Sequence, residues 1–162
     1  MPVSPEVTRV IDKLNALVSS AASSSAVMEG VVELLHTSMP RYNWVGFYMI
    51  EHKLGDEPVL ILGPFRGSMT PHTRIGLNQG ICGAAASSGK TIIVDDVNSD
   101  ARYLACSLET KSEIVVPIFV SGRVAGELDI DSHFPAAFGA ADKELCEHAA
   151  NLVGDFLTKH RA

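Results

Sequence analysis

The stretch Glu113-Ile114-Val115-Val116-Pro117-Ile118-Phe119-Val120, then Ser121-Gly122, then Arg123-Val124-Ala125-Gly126-Glu127-Leu128-Asp129-Ile130 decides the fold class. Both flanks are rich in β-branched residues, and a two-residue connection ending in glycine suits a tight turn with positive φ, so the segment reads as a β-hairpin. In its second strand Leu128 and Ile130 alternate with Asp129 and Asp131. One face is therefore apolar and buried, and the two carboxylates share the other.

Moving outward, Asn43 to Gly63 reads as a second hairpin around Leu54-Gly55-Asp56. In its first strand Trp44, Gly46, Tyr48 and Ile50 fall on one face, and Val45, Phe47 and Met49 on the other. Pro64 to Pro71 is expected as a loop, Arg74 to Leu77 as a short apolar piece, and Thr91 to Val97 as a further strand. Gly80 to Ala86 predicts a short helix of small residues that stops at Ser88-Gly89. Asn98-Ser99-Asp100 offers a cap to a short irregular helix holding Tyr103, Leu104 and Cys106.

Long helices bracket these strands. Val7, Val10, Ile11, Leu14, Leu17 and Val18 recur at spacings of three and four, as do the apolar residues from Val27 to Leu35. Two N-terminal helices are expected over about 5–38, ending before Pro40, and a last amphipathic helix over about 141–159. Hairpins without long crossover helices exclude a doubly wound sheet and predict an α+β domain: a central antiparallel sheet with helices packed against a face. No internal repeat or linker divides residues 1–162, which read as one domain.

Charge and composition narrow the function. A net charge of -6, with no cluster of basic residues, argues against a nucleic-acid partner. The apolar runs fall far short of the roughly 20 residues a membrane span needs, and the N-terminus lacks the pattern of a secretory leader, so a cytoplasmic protein is expected. Three cysteines at wide spacing, Cys82, Cys106 and Cys146, do not describe a disulfide scaffold and read as free thiols. Gly80-Ile81-Cys82-Gly83 has neither the lysine of a phosphate loop nor a dinucleotide fingerprint, so no bound cofactor is expected. The six histidines are scattered without paired-ligand spacing, so no metal set is expected, and His52, His133, His148 and His160 read as surface residues.

Chemistry has three candidate locations. Cys82 lies in the first turn of the short helix, where peptide dipoles lower a thiol pKa; the same position also suits a small buried hydrophobe. Cys106 sits between strands, where a ligand has access. Glu113, Asp129 and Asp131 gather at the ends of the strongest hairpin, and same-face carboxylates favour protonation of one of them or binding of a cation or ammonium group. Trp44, Phe47 and Tyr48 are candidates for an aromatic side to that pocket. Cys146, beside Leu145 on the last helix, reads as core.

Six pieces in order carry a resemblance: Asn43-Trp44-Val45-Gly46-Phe47-Tyr48, Leu62-Gly63-Pro64-Phe65-Arg66-Gly67, Gly80-Ile81-Cys82-Gly83, Ala105-Cys106, Lys111-Ser112-Glu113-Ile114-Val115-Val116-Pro117 and Leu128-Asp129-Ile130-Asp131-Ser132. Over about Tyr42 to Phe156 the chain resembles the free methionine-R-sulfoxide reductases, which are stand-alone GAF domains. The resemblance implies a GAF-like fold with helices on one face of the sheet and a ligand pocket on the other. It implies thiol-dependent reduction of the free R sulfoxide, with no bound cofactor and with thioredoxin or another dithiol as reductant. By motif, Cys106 matches the attacking cysteine and Cys82 a resolving one; Glu113, Asp129 and Asp131 match the acids that bind the ammonium group and assist at the sulfoxide oxygen. Trp44 would face the methyl-thioether end. A homodimer is implied, with the N-terminal helices as candidate interface elements. One departure stands out: the family commonly has a further, resolving cysteine upstream, where this chain has His72. Two other readings fit the same residues, a non-enzymatic GAF module that binds a small ligand and a cysteine-based redox sensor.

Overall fold

The computed structural model describes residues 4–104 and 108–160. Helix α1 (Pro5–Ser20) starts where the Ser4 hydroxyl accepts the Val7 amide at 3.2 Å and a proline occupies the first turn. Helix α2 (Ser24–Ser38) starts on Ser23 in the same way, so the serine-rich break separates two capped helices. Then follow β1 (Trp44–Glu51), β2 (Val59–Arg66), β3 (Arg74–Gly76), α3 (Gly80–Ser88) and β4 (Ile92–Val94). A 3-10 turn (Val97–Ser99), β5 (Ser112–Val120), β6 (Arg123–Ser132) and α4 (Ala140–Lys159) complete the described elements.

The strands form one six-stranded sheet in the order β3-β2-β1-β6-β5-β4, with antiparallel neighbours throughout. The β5–β6 turn has Ser121 at φ 52° and Gly122 at φ 81°, the positive pair that matches strand twist. Period-two alternation then sorts the side chains. Val45, Phe47, Ile114, Val116, Ile118, Leu128 and Ile130 pack with the buried stripes of α1, α2 and α4 into the main core. Trp44, Tyr48, Leu60 and Val115 face the other way, against Ile81, Cys82, Ala85 and Ala86 of α3. The chain thus has the expected α+β arrangement, with α3 as the one helix on the second face among the described residues. No helix of the described residues is long and apolar enough to cross a membrane.

Three local expectations are corrected. β2 does not stop at Gly63 but continues through Pro64, Phe65 and Arg66. The register with β1 shifts between Gly46 and Tyr48, so an irregularity absorbs Pro64, which has no amide to donate. Arg66 fastens the added length to α2, its Nε donating to Glu33 at 2.6 Å and a terminal nitrogen to Glu29 at 2.9 Å. β4 is only three residues long, because Asp96 turns the chain out of the sheet by accepting the Asn98 amide. That cap also places the 3-10 turn earlier than expected: Asp100 accepts the Arg102 amide in a turn instead of starting a helix.

Candidate functional site

The second face of the sheet carries a wall of acids. Strand register sets Glu113 opposite Asp131 across β5 and β6, and Asp131 opposite Trp44, Asp129 opposite Gly46 and Glu127 opposite Tyr48 across β6 and β1. β6 runs on to Ser132, so Asp129 and Asp131 lie within the strand and are buried, as are Glu113 and Glu127. Burial is the first cause that lifts each of these four carboxyls above its ordinary pKa. Neighbouring carboxylates push Glu113, Glu127 and Asp131 further up, whereas hydrogen bonds from Glu113 and Cys82 pull Asp129 partly back. One oxygen each of Asp129 and Asp131, and both of Glu127, are buried without a hydrogen-bond partner. Burial therefore favours the protonated forms of these acids over free carboxylates, and the unpartnered oxygens leave the wall short of donors, which suits a cationic or protonated guest.

Cys82 stands in the first turn of α3 and points at this wall. Its Sγ donates to Asp129 Oδ2 at 3.4 Å, and one ligand atom each of Cys82, Glu113 and Asp129 lie within 4.8 Å of one another. The lowered pKa expected of a thiol at a helix start is reversed: burial pushes it well up, and the charges of Asp129, Glu127 and Glu113 add to that. Cys106 lies outside the described residues. Cys146 is far from the wall, buried in the core of the helical face, where its Sγ donates to the Tyr42 hydroxyl at 3.7 Å and Tyr42 donates to Asp142 at 2.6 Å. Burial pushes its thiol up to about 12, as befits a core residue.

A cavity of about 260 Å³ opens beside the wall, bounded by Trp44, Tyr48, Thr110, Asp129, Asp131 and His133. A gap of about 20 Å³ between His72, Cys82 and Glu113 shares Tyr48 and Asp129 with it. The Trp44 ring stacks on Phe65 at 5.6 Å and on Tyr48 at 6.2 Å, and its Nε1 donates to Ser68 O at 3.0 Å. Gly46 makes room for that ring, since a Cβ there would collide with it. Tyr48 donates to the His72 backbone carbonyl at 2.7 Å, which ties the strand to the segment before β3. A wider groove of about 530 Å³ beside Phe119 and Lys143 contains neither a thiol nor a buried carboxyl.

The structure therefore brings Trp44, Cys82, Glu113, Asp129 and Asp131 to one face. Phe47, a candidate for the aromatic side, belongs to the helical core instead, because odd positions of β1 point there. Glu127 was not anticipated, although it continues the alternation of Asp129 and Asp131 by one step. His133 belongs to the cavity mouth, where its Nδ1 lies 3.4 Å from Glu109 Oε2.

The GAF domain family matches residues 23–156. Protein YtsP of Bacillus subtilis is 36% identical over 89% of this chain and 86% of its own length. The free methionine-R-sulfoxide reductase of Escherichia coli is 33% identical over 80% of this chain and 75% of its own length. The solved type II free methionine-R-sulfoxide reductase of Thermoplasma acidophilum superimposes with a TM-score of 0.77 at 36% identity, covering 84% of this chain and 93% of that one. With the acid-lined pocket on the open face of such a sheet, these similarities show that the chain belongs to the free methionine-R-sulfoxide reductases, a family of oxidoreductases built on the GAF domain.

Proposed function

We propose that residues 1–162 act as one GAF-like unit that reduces free L-methionine-(R)-S-oxide to L-methionine in the cytoplasm, with electrons from thioredoxin or another dithiol. The observation that carries this reading is the buried wall of Glu113, Asp129 and Asp131 beside Trp44 at the edge of a cavity of about 260 Å³. A free amino acid has an ammonium group that an internal peptide residue lacks, and Asp131, with a buried oxygen awaiting a donor, is the group we assign to it. The Trp44 and Tyr48 rings receive the methyl-thioether end. Glu113, pushed up by burial and by the charges of Asp129 and Asp131, and Asp129, pushed up by burial and drawn partly back by Glu113, supply the proton at the sulfoxide oxygen.

In this mechanism the Cys106 thiolate attacks the sulfoxide sulfur while an acid protonates the oxygen. The sulfoxide S–O bond then breaks as the protonated oxygen passes to the Cys106 sulfur, so that methionine leaves and Cys106 is left as a sulfenic acid. Cys82 then attacks that sulfur, water departs, and the resulting disulfide is reopened by the dithiol. The resemblance puts the family's further cysteine at the position of His72, so we assign resolution to Cys82 alone. We also infer a homodimer through the N-terminal helices.

The test is methionine release from each sulfoxide epimer with dithiothreitol or a thioredoxin system. The R epimer alone is expected to react, Cys106→Ser to abolish the reaction, and Asp131→Asn to raise KM. Cys82→Ser is expected to slow turnover with thioredoxin more than with dithiothreitol. No methionine from the R epimer with either reductant would refute the proposal.

A further inference from the structure

We propose that Cys82, Glu113 and Asp129, with Glu127 behind them, form a binding site for a divalent cation of the zinc type. Its overlap with the substrate wall rests on the function proposed above; the site itself does not. Three elements supply the donors: Cys82 from the first turn of α3, Glu113 from β5, and Asp129 from β6. Their ligand atoms already lie within 4.8 Å of one another, with Cys82 Sγ and Asp129 Oδ2 at 3.4 Å. Bonds of about 2.0–2.3 Å from zinc to oxygen and sulfur put tetrahedral ligands roughly 3.5 Å apart. Side-chain shifts on the order of 1 Å would therefore close the three donors around one ion.

The second observation is Glu127. It is fully buried, neither of its oxygens has a well-aligned hydrogen-bond partner, and its polar neighbours are the Cys82 thiol, which interacts with it weakly, and the Asp129 carboxyl. Glu127 lies outside the group whose ligand atoms are within 4.8 Å of one another and would have to move inward to become a fourth donor, whereas Asp129, within the group, brings a further unpartnered oxygen. A cation there would satisfy these atoms and replace carboxylate repulsion with attraction. The donor set also selects the ion. A thiolate beside carboxylates suits zinc, cobalt or cadmium, whereas magnesium and calcium take oxygen ligands in larger number. Asp129 borders both the larger cavity and the gap at Cys82, which gives the ion a route inward. Because Glu113 and Asp129 belong to the substrate wall, the ion and the sulfoxide exclude each other.

The test uses the reduced full chain, stripped with a chelator and titrated with Co²⁺. One ion per chain is expected, with a sulfur-to-metal charge-transfer band that excess Zn²⁺ removes. Cys82→Ser should abolish the band, Cys106→Ser should keep it, and Glu113→Gln and Glu127→Gln should each weaken the affinity at least tenfold, with circular dichroism confirming the fold of each variant. The absence of a band, its loss in Cys106→Ser, its persistence in Cys82→Ser, or unchanged affinity in both glutamine variants would overturn the proposal. In a single turnover, before Cys82 is needed for resolution, Zn²⁺ should raise the sulfoxide concentration that gives half the maximal rate of methionine release without changing that maximal rate; a lower maximal rate at unchanged half-saturation would refute the overlap. A chain that reduces the sulfoxide but shows no Cys82-dependent band refutes the cation site alone, and a chain with the band but no methionine release refutes the proposed reaction alone.

Discussion

Replacing Glu127 by methionine should make the protein more stable, contrary to the usual cost of altering a fully buried residue. The side chain has no exposure, and neither of its oxygens has a well-aligned hydrogen-bond partner, the Cys82 thiol interacting with it only weakly. Leaving a buried polar group unpaired costs about 1–3 kcal/mol, and methionine fills nearly the same volume without that group. A gain of about 2 kcal/mol corresponds to a rise in Tm of roughly 6 °C for a chain of this size. The effect should also depend on pH. Burial, followed by the charge of Asp129, raises the folded-state pKa of Glu127, and the nearby Cys82 thiol only softens the shift. For a carboxyl raised in this way, the folded state keeps a proton that the unfolded chain releases. The stability linked to Glu127 is complete below the unfolded pKa of about 4.3 and is lost as pH rises through the folded one. Wild type should therefore fall progressively behind Glu127→Met from about pH 4 upward, with a slope of at most about 1.4 kcal/mol per pH unit. Glu127→Gln removes the pH dependence but keeps polar atoms in place, so its gain should be smaller. Urea unfolding across that pH range measures all three proteins. A wild type more stable than Glu127→Met at pH 7, or a difference that does not change with pH, would refute the reasoning.

Two further substitutions probe the scaffold of the pocket. Gly46→Ala puts a methyl where the Trp44 ring lies; the chain has one tryptophan, so a shifted emission spectrum should report the displaced ring, together with a higher KM. Ser112 is fully buried, donates to Phe134 O at 2.6 Å and accepts the Ala137 amide at 3.3 Å; Ser112→Ala should cost about 1–3 kcal/mol in chemical unfolding.

Alternation along the chain was enough to read which face each residue of β1 and β6 would meet, because a side-chain period of two leaves one choice once Leu128 and Ile130 are buried. It placed Asp129 and Asp131 together and set Trp44 apart from Val45. The limits have equally local causes. Pro64 signalled a loop, yet a strand can take a proline where its register slips. The apolar run from Thr91 to Val97 suggested a long strand, but the Asp96 cap outweighed it. Cys82 illustrates a deeper limit. Its helix position is readable and would favour a thiolate, whereas burial against the sheet reverses the effect, and the acids that add to it arrive from strands more than thirty residues away. Glu127 was hidden because a glutamate within a hairpin strand ordinarily faces water. Its place in a central strand, on the face that α3 and its Cys82 cover, buries it.

The position of the acidic wall within the sheet separates recognition from access. β1 and β6 are the two innermost strands, each hydrogen-bonded on both edges, so Trp44, Asp129 and Asp131 are carried by the part of the fold that opens last. The opposite side of the cavity is supplied by connecting segments around Ser68 to Thr70, Thr110 and His133. The sheet therefore acts as a fixed gauge against which a guest is measured, and passage in and out is left to the loops, whose adjustment need not disturb the gauge.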